Sequence, residues 1–169
     1  MKCTKCQKKA TTTLENTKIQ YCDKHFEELM EKRIRKQLRT QQKINTNKTY
    51  TIKTKNKNKE TLLKHYLKNI FKGNLKLNKT SKNEITTKTS NEIANEFIIQ
   101  FLKNKKQKQK NTINPFTHIT EKELQKLMKI HKIKPNQTKK QTITEKLENK
   151  YPGTIQSTIK TIEFLKIKK

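Results

Sequence analysis

The spacing of three cysteines and one histidine constrains this chain more than any other feature. Two residues separate Cys3 from Cys6, fifteen residues follow, and two residues separate Cys22 from His25. Zinc takes four thiolate or imidazole ligands in a tetrahedron, and each two-residue spacing lets one tight turn supply two of them. The pattern therefore predicts a zinc site with these four residues as its ligands.

Because the ligand set is complete, the predicted site is structural. Four protein ligands leave no position open for water or substrate, so zinc would act by folding this segment. The alternative is three unrelated buried thiols beside a surface histidine, but residues 1–26 contain few apolar side chains to bury three thiols. We therefore expect a zinc finger at 1–26, with Zn²⁺ as its cofactor. An odd number of cysteines also favours a metal over disulfides.

Periodicity predicts a mainly α fold after a small β-hairpin. Residues 11–14 and 18–21 are β-prone and flank a turn at 15–17. Further along, apolar residues recur at three- and four-residue steps, which is typical of helices. We expect helices at 23–42, 60–71, 91–102, 121–130, 141–150 and 155–167. A capping box of Thr120 and Glu123 indicates where one helix begins, and Gly73 indicates where another ends. We expect loops or exposed polar tracts at 43–59, 74–89, 103–110 and 134–140.

The chain is strongly basic, with 42 Lys and Arg against 14 Asp and Glu and a net charge of +28. Such a field attracts polyanions, of which RNA, DNA and an anionic membrane surface are the candidates. The alternative is compositional drift, because Lys, Asn, Ile and Thr are abundant together, as AT-rich genes encode. No apolar run approaches the roughly 20 residues of a membrane span and no apolar leader precedes Cys3, so we expect a cytoplasmic protein without a membrane partner.

The helix predicted after the metal ligands carries the only three arginines of the chain. With two lysines they spread over the flank opposite its apolar stripe: Lys32, Arg33, Arg35, Lys36 and Arg39. Because nearly all other basic residues are Lys, arginines kept on one helix predict RNA contacts, mainly to phosphates. The alternative is a solvated helix face with no partner.

Several segments, taken in order, resemble one family. These segments are 1–10 (MKCTKCQKKA), 21–26 (YCDKHF), 31–36 (EKRIRK), 91–102, 114–123 (NPFTHITEKE) and 147–154 (LENKYPGT). Together they are similar to the tRNA 2-thiouridine synthetases of the TtuA type, in the PP-loop ATP-pyrophosphatase superfamily. The resemblance implies a zinc finger and a basic helix followed by a Rossmann-like ATP-binding domain, with tRNA as the partner.

The resemblance also shows where the chain departs from that family. The family's phosphate loop has the sequence Ser-Gly-Gly-Lys-Asp-Ser and corresponds to residues 56–61 of this chain. Both glycines are missing there, and Lys59, Glu60 and Thr61 are chemically similar to the Lys-Asp-Ser that ends the loop. An aspartate of a second motif appears as Asn91, and no cysteines remain for the family's iron–sulfur cluster. The stretch from 59 to 91 has room for one helix and a loop, so we expect only a remnant of the parallel sheet.

These observations lead to a two-part chain, with a zinc finger at 1–26 and a shortened, degenerate PP-loop-like helical domain at 27–169. We expect no catalytic residues. The protein would bind tRNA, alone or as an accessory to an intact thiolation enzyme, without ATP pyrophosphatase or sulfur-transfer activity. The alternatives are an active tRNA 2-sulfurtransferase with an eroded phosphate loop, a zinc-dependent protein-interaction module and a decaying gene product.

Overall fold

The computed structural model describes residues 1–14, 17–41, 44–104, 112–135 and 142–167. The strands are β1 (Thr12–Thr13), β2 (Gln20–Tyr21), β3 (Thr49–Lys53), β4 (Lys76–Leu77) and β5 (Asn83–Thr86). The helices are α1 (Asp23–Lys36), α2 (Lys57–Phe71), α3 (Ser90–Leu102), α4 (Glu121–Ile130), α5 (Ile143–Lys150) and α6 (Thr154–Ile167). A π-helical turn at Gln37–Gln41 extends α1. The mainly α class is therefore confirmed. Parts of the predicted turn at 15–17, of the tract at 103–110 and of the loop at 134–140 lie outside the described residues.

The predicted N-terminal hairpin is present. β1 and β2 are antiparallel, with Thr12 opposite Tyr21 and Thr13 opposite Gln20. Directly after β2, Cys22 takes the N-cap position of α1, in extended backbone conformation. The hairpin therefore fixes both the direction and the starting point of α1.

A second sheet has three parallel strands, in the order β4-β3-β5. A single parallel bridge joins Ile85 to Ile113 beyond β5. The expected loop at 74–89 is wrong, because β4 and β5 lie there. The expected loop or polar tract at 43–59 is also wrong in part, because it contains β3 and the start of α2. Both strands are short and only Ile85 among their residues is fully buried, so neither has an apolar pattern that could be read locally. Among the described residues, this sheet has three strands.

One hydrophobic cluster joins the hairpin to the rest of the chain. Its fully buried members include Phe26, Met30 and Ile34 on α1, and Leu63 on α2. It also contains Cys3, on the other side of the predicted boundary at residue 26. Burying each large apolar side chain stabilises the fold by about 1.5–3 kcal/mol, so the hairpin and the helical part support each other.

Helix ends follow the predicted signals. Thr120 and Glu123 form the expected capping box at the start of α4. At the end of α2 the chain leaves through Lys72 and Gly73, both at positive φ, and the amide of Gly73 donates to the carbonyl of Lys68. Among the described residues, no helix has both the length and the apolar content for a membrane span.

Candidate metal centre and ion-pair cluster

The hairpin and the start of α1 bring the four predicted metal ligands together. Cys3 and Cys6 precede β1, Cys22 follows β2, and His25 lies in the first turn of α1. Cys3 and Cys22 are buried, whereas Cys6 and His25 are half-buried. All four donor atoms lie within 4.8 Å of one another.

The distances between these donors fit a single tetrahedral ion. Cys6 Sγ lies 3.7 Å from Cys22 Sγ, and His25 Nδ1 lies 3.5 Å from Cys3 Sγ and 3.4 Å from Cys22 Sγ. Metal–sulfur and metal–nitrogen bonds of about 2.3 and 2.0 Å give tetrahedral edges of about 3.8 Å between sulfurs and about 3.5 Å between sulfur and nitrogen. The residues present can therefore hold one metal ion.

The ionisation of the thiols also favours a cation at this place. Burial raises the pKa of Cys3, but backbone hydrogen bonds around Cys22, Lys5 and Cys6 outweigh it and bring this pKa down to about 6. The pKa of Cys6 is raised, because burial and the neighbouring sulfurs outweigh a backbone hydrogen bond from Lys8. One thiolate thus opposes the ionisation of the next. The positive charge of a bound metal ion offsets this repulsion, and metal-bound thiols are deprotonated.

An ion-pair cluster forms where the first turns of α2, α3 and α4 meet. Lys59 Nζ lies 2.9 Å from Glu92 Oε2 and 2.9 Å from Glu121 Oε2. The lysine side chain is only 6% exposed. Thr89 Oγ1 donates to Glu121, and the backbone amide of Glu121 donates to Asn91 Oδ1 at 2.9 Å. The cluster therefore joins Lys59, Glu92 and Glu121, which come from three segments far apart in the sequence.

The backbone at the start of α2 is occupied by the chain's own side chains. Asn56 Oδ1 accepts hydrogen bonds from the amides of Asn58 and Lys59, at 2.9 and 3.1 Å. These first-turn amides are the groups with which a helix N-terminus binds phosphate. Glu60 pairs with Lys64 one turn later. Thr61 is exposed and donates back to a main-chain carbonyl of its own helix. Of Lys59, Glu60 and Thr61, only Lys59 faces the ion-pair cluster.

The basic residues of α1 divide into two groups. Arg33 Nη1 lies 2.9 Å from Glu123 Oε1 and so joins α1 to α4, with 27% of the side chain exposed. Arg35 pairs with Glu31 on its own helix. The remaining members of the predicted set are exposed, namely Lys32, Lys36 and Arg39. Their contact with RNA remains a prediction, and Arg33 has a clear partner inside the chain.

A second cluster, of one glutamate and two histidines, was not predicted from the sequence. Glu27 on α1, His65 on α2 and His131 at the end of α4 have donor atoms within 4.8 Å of one another. His118 lies elsewhere and contacts Glu163 at 3.0 Å. No spacing rule could have found the cluster, because its members come from three helices far apart in sequence.

Comparison with known proteins gives a structural match and no sequence match. No protein-family model matches the chain, and no curated protein matches its sequence. Among solved structures, the chain is similar to the U34-tRNA thiolase NcsA from Methanococcus maripaludis, which was solved with its 4Fe-4S cluster. The TM-score is 0.77 and the sequence identity 14%, and the match covers 98% of this chain and 87% of that one. The likeness establishes a shared fold. Because most of that chain is covered, it gives no support to the predicted loss of several βα units.

Proposed function

We propose that this protein is a zinc-containing tRNA-binding protein, related to tRNA thiolation enzymes but without ATP pyrophosphatase or sulfur-transfer activity. The observation that carries this proposal is the pairing of the buried Lys59 ammonium group with the carboxylates of Glu92 and Glu121. This lysine stands where the resemblance places the lysine of the phosphate loop. The fold shared with a tRNA thiolase supports tRNA as the nucleic acid.

The proposed metal is a structural zinc ion bound by Cys3, Cys6, Cys22 and His25. Three thiolates and an imidazole are a typical structural zinc set, and the fourth ligand closes the coordination sphere. A 4Fe-4S cluster takes each ligand on a different iron atom, so its ligands stand further apart than those of one ion. Donor atoms within 4.8 Å of one another therefore fit one ion and not such a cluster. The full sequence contains no fourth cysteine with which to build a cluster elsewhere.

The proposed absence of ATP chemistry follows from charge at the ion-pair cluster. ATP brings several negative charges, whereas the cluster has one ammonium group already shared between two carboxylates. Separating Lys59 from Glu121 would leave a carboxylate that is only 15% exposed without its cation, which is costly. The side chain of Asn56 also occupies the amides that would otherwise bind phosphate oxygens.

The proposed RNA contact uses the exposed basic residues of α1 and the turn that follows it. Lys32, Lys36 and Arg39 point away from the core and have a zinc-fixed hairpin at the start of their helix. Lysine binds phosphate as a point charge and does not form the bidentate contacts with which arginine reads bases. We therefore expect recognition of RNA backbone and shape.

The test is a tRNA-binding titration over a range of salt concentrations with two matched triple variants. Lys32→Glu, Lys36→Glu and Arg39→Glu together should weaken binding by at least tenfold. Lys76→Glu, Lys79→Glu and Lys82→Glu change the net charge equally on exposed residues at the sheet and should cost much less. Equal losses of tRNA affinity in the two variants would mean that binding depends only on the net charge of the chain and that α1 is no binding site.

A second candidate is an active tRNA 2-sulfurtransferase, favoured by the coverage of nearly the whole chain in the match to a thiolase. This candidate predicts pyrophosphate release from ATP that depends on tRNA, and thiolated tRNA as product. Our proposal predicts neither. If tRNA binds but no pyrophosphate is released, an accessory role beside an intact thiolation enzyme is tested by co-purification of the two proteins with tRNA.

A further inference from the structure

We propose a second metal site, in which Glu27, His65 and His131 bind a divalent transition-metal ion of the zinc class. The three donor atoms lie within 4.8 Å of one another. Two imidazoles and one carboxylate are a donor set that binds zinc with one further position open to water. The site is independent of the cysteine centre and of the proposed RNA binding.

The geometry is already close to that of a bound ion. His131 Nε2 lies 3.0 Å from Glu27 Oε1. Two ligands bound to zinc at about 2.0–2.1 Å stand about 3.3 Å apart in a tetrahedron, so this pair needs only a small adjustment. The ring of His65 lies beside that of His131, with 4.5 Å between the ring centroids. A metal ion would take the position between His131 Nε2 and Glu27 Oε1.

Neighbouring side chains hold both rings in place. Asn69 Nδ2 lies 3.0 Å from His65 Nε2, and the hydroxyl of the buried Tyr66 lies 3.4 Å from His131 Nε2. Tyr66 contacts the same nitrogen of His131 as Glu27 does, so it restrains this ring only until an ion takes that nitrogen. The rings are therefore restrained before any ion arrives, which reduces the entropy lost on binding.

The local charge suits a cation, although the chain as a whole repels one. The pKa of Tyr66 is raised, chiefly by burial and then by the carboxylates of Glu27 and Glu31. Two of the 14 acidic residues of the chain thus act on the same small region. This field offsets part of the repulsion from the net charge of +28.

A bound ion would connect three helices. Glu27 belongs to α1, His65 to α2 and His131 follows α4, so one ion would link elements that now meet through apolar contacts and, between α1 and α4, through the Arg33–Glu123 ion pair. Because only the folded chain brings the donors together, the ion should stabilise folding and raise the melting temperature.

The experiment counts zinc by equilibrium dialysis and mass spectrometry, together with thermal melting, on the full-length protein. We expect two ions per wild-type chain and one in His65→Ala. His65 is exposed, so this variant keeps its fold. His118→Ala is the matched control, because His118 also contacts a glutamate but has no third ligand among the described residues. It should keep two ions. Cys22→Ser/His65→Ala should bind none at high affinity.

The melting temperature should rise on addition of the second equivalent of zinc in the wild type and in His118→Ala, but not in His65→Ala. A wild-type chain that binds only one ion and keeps it in His65→Ala would overturn the proposal. So would a His65→Ala variant that still binds two. A wild type that binds one ion, lost in His65→Ala and kept in Cys22→Ser, would support this site and contradict the cysteine centre instead.

Discussion

Replacing Lys59 by Met separates a structural role for this lysine from a role in binding phosphate. The substitution removes the ammonium group and leaves Glu92 and Glu121 facing each other. Removing one partner of a fully buried ion pair costs about 3–5 kcal/mol. Glu92 is 47% exposed and can be solvated, whereas Glu121 is 15% exposed, so we expect a loss of about 2–3 kcal/mol in the free energy of unfolding.

The assay is urea unfolding, in which the midpoint should fall while the slope stays the same. Lys64→Met is the matched control on the same helix. Its ammonium group pairs with Glu60 at the surface, and such a pair contributes about 0.5 kcal/mol or less. Adding Glu92→Gln and Glu121→Gln to Lys59→Met should restore part of the lost stability. If Lys59→Met is no more destabilising than Lys64→Met, the lysine is not held by the cluster and the argument against phosphate binding fails.

Other substitutions test the metal centre, the basic helix and the helix caps. Cys22→Ser should abolish zinc binding at the cysteine centre and lower the melting temperature while most of the helical circular dichroism remains. The zinc content should fall by one ion per chain, and an unchanged zinc content would refute the ligand set. Arg33→Ala should cost about 1–2 kcal/mol in urea unfolding because it leaves Glu123 unpaired at a half-buried place, whereas Arg35→Ala should cost less than about 0.5 kcal/mol. Equal losses would contradict the contact between α1 and α4. Thr120→Ala removes the cap of α4 and should cost about 1 kcal/mol, while an unchanged stability would show that the cap is not used.

Features with a local cause could be predicted from the sequence. The ligand spacing at Cys3, Cys6, Cys22 and His25 needs only two tight turns and a hairpin, and the structure brings these residues together. The helices follow from apolar periodicity, and the capping box at Thr120 marks the start of α4 as expected.

Features that depend on contacts between distant segments could not be predicted in this way. β4 has two residues and forms a strand because it pairs with β3, so its own sequence does not indicate a strand. The partner of Arg33 is 90 residues away, which no helical wheel of α1 could indicate. His65 and His131 meet only because α2 and the end of α4 pack against each other.

The central claim is that this protein binds tRNA through a retained fold without using ATP. The most direct measurement is pyrophosphate release from magnesium ATP by the zinc-loaded protein, saturated with tRNA, with a sulfide source present. We predict no release above that of the tRNA and ATP alone, and the same result for Lys59→Met. Release that depends on tRNA and is lost in Lys59→Met would contradict the account, because Lys59 would then act on phosphate and not as the cation of an internal ion pair.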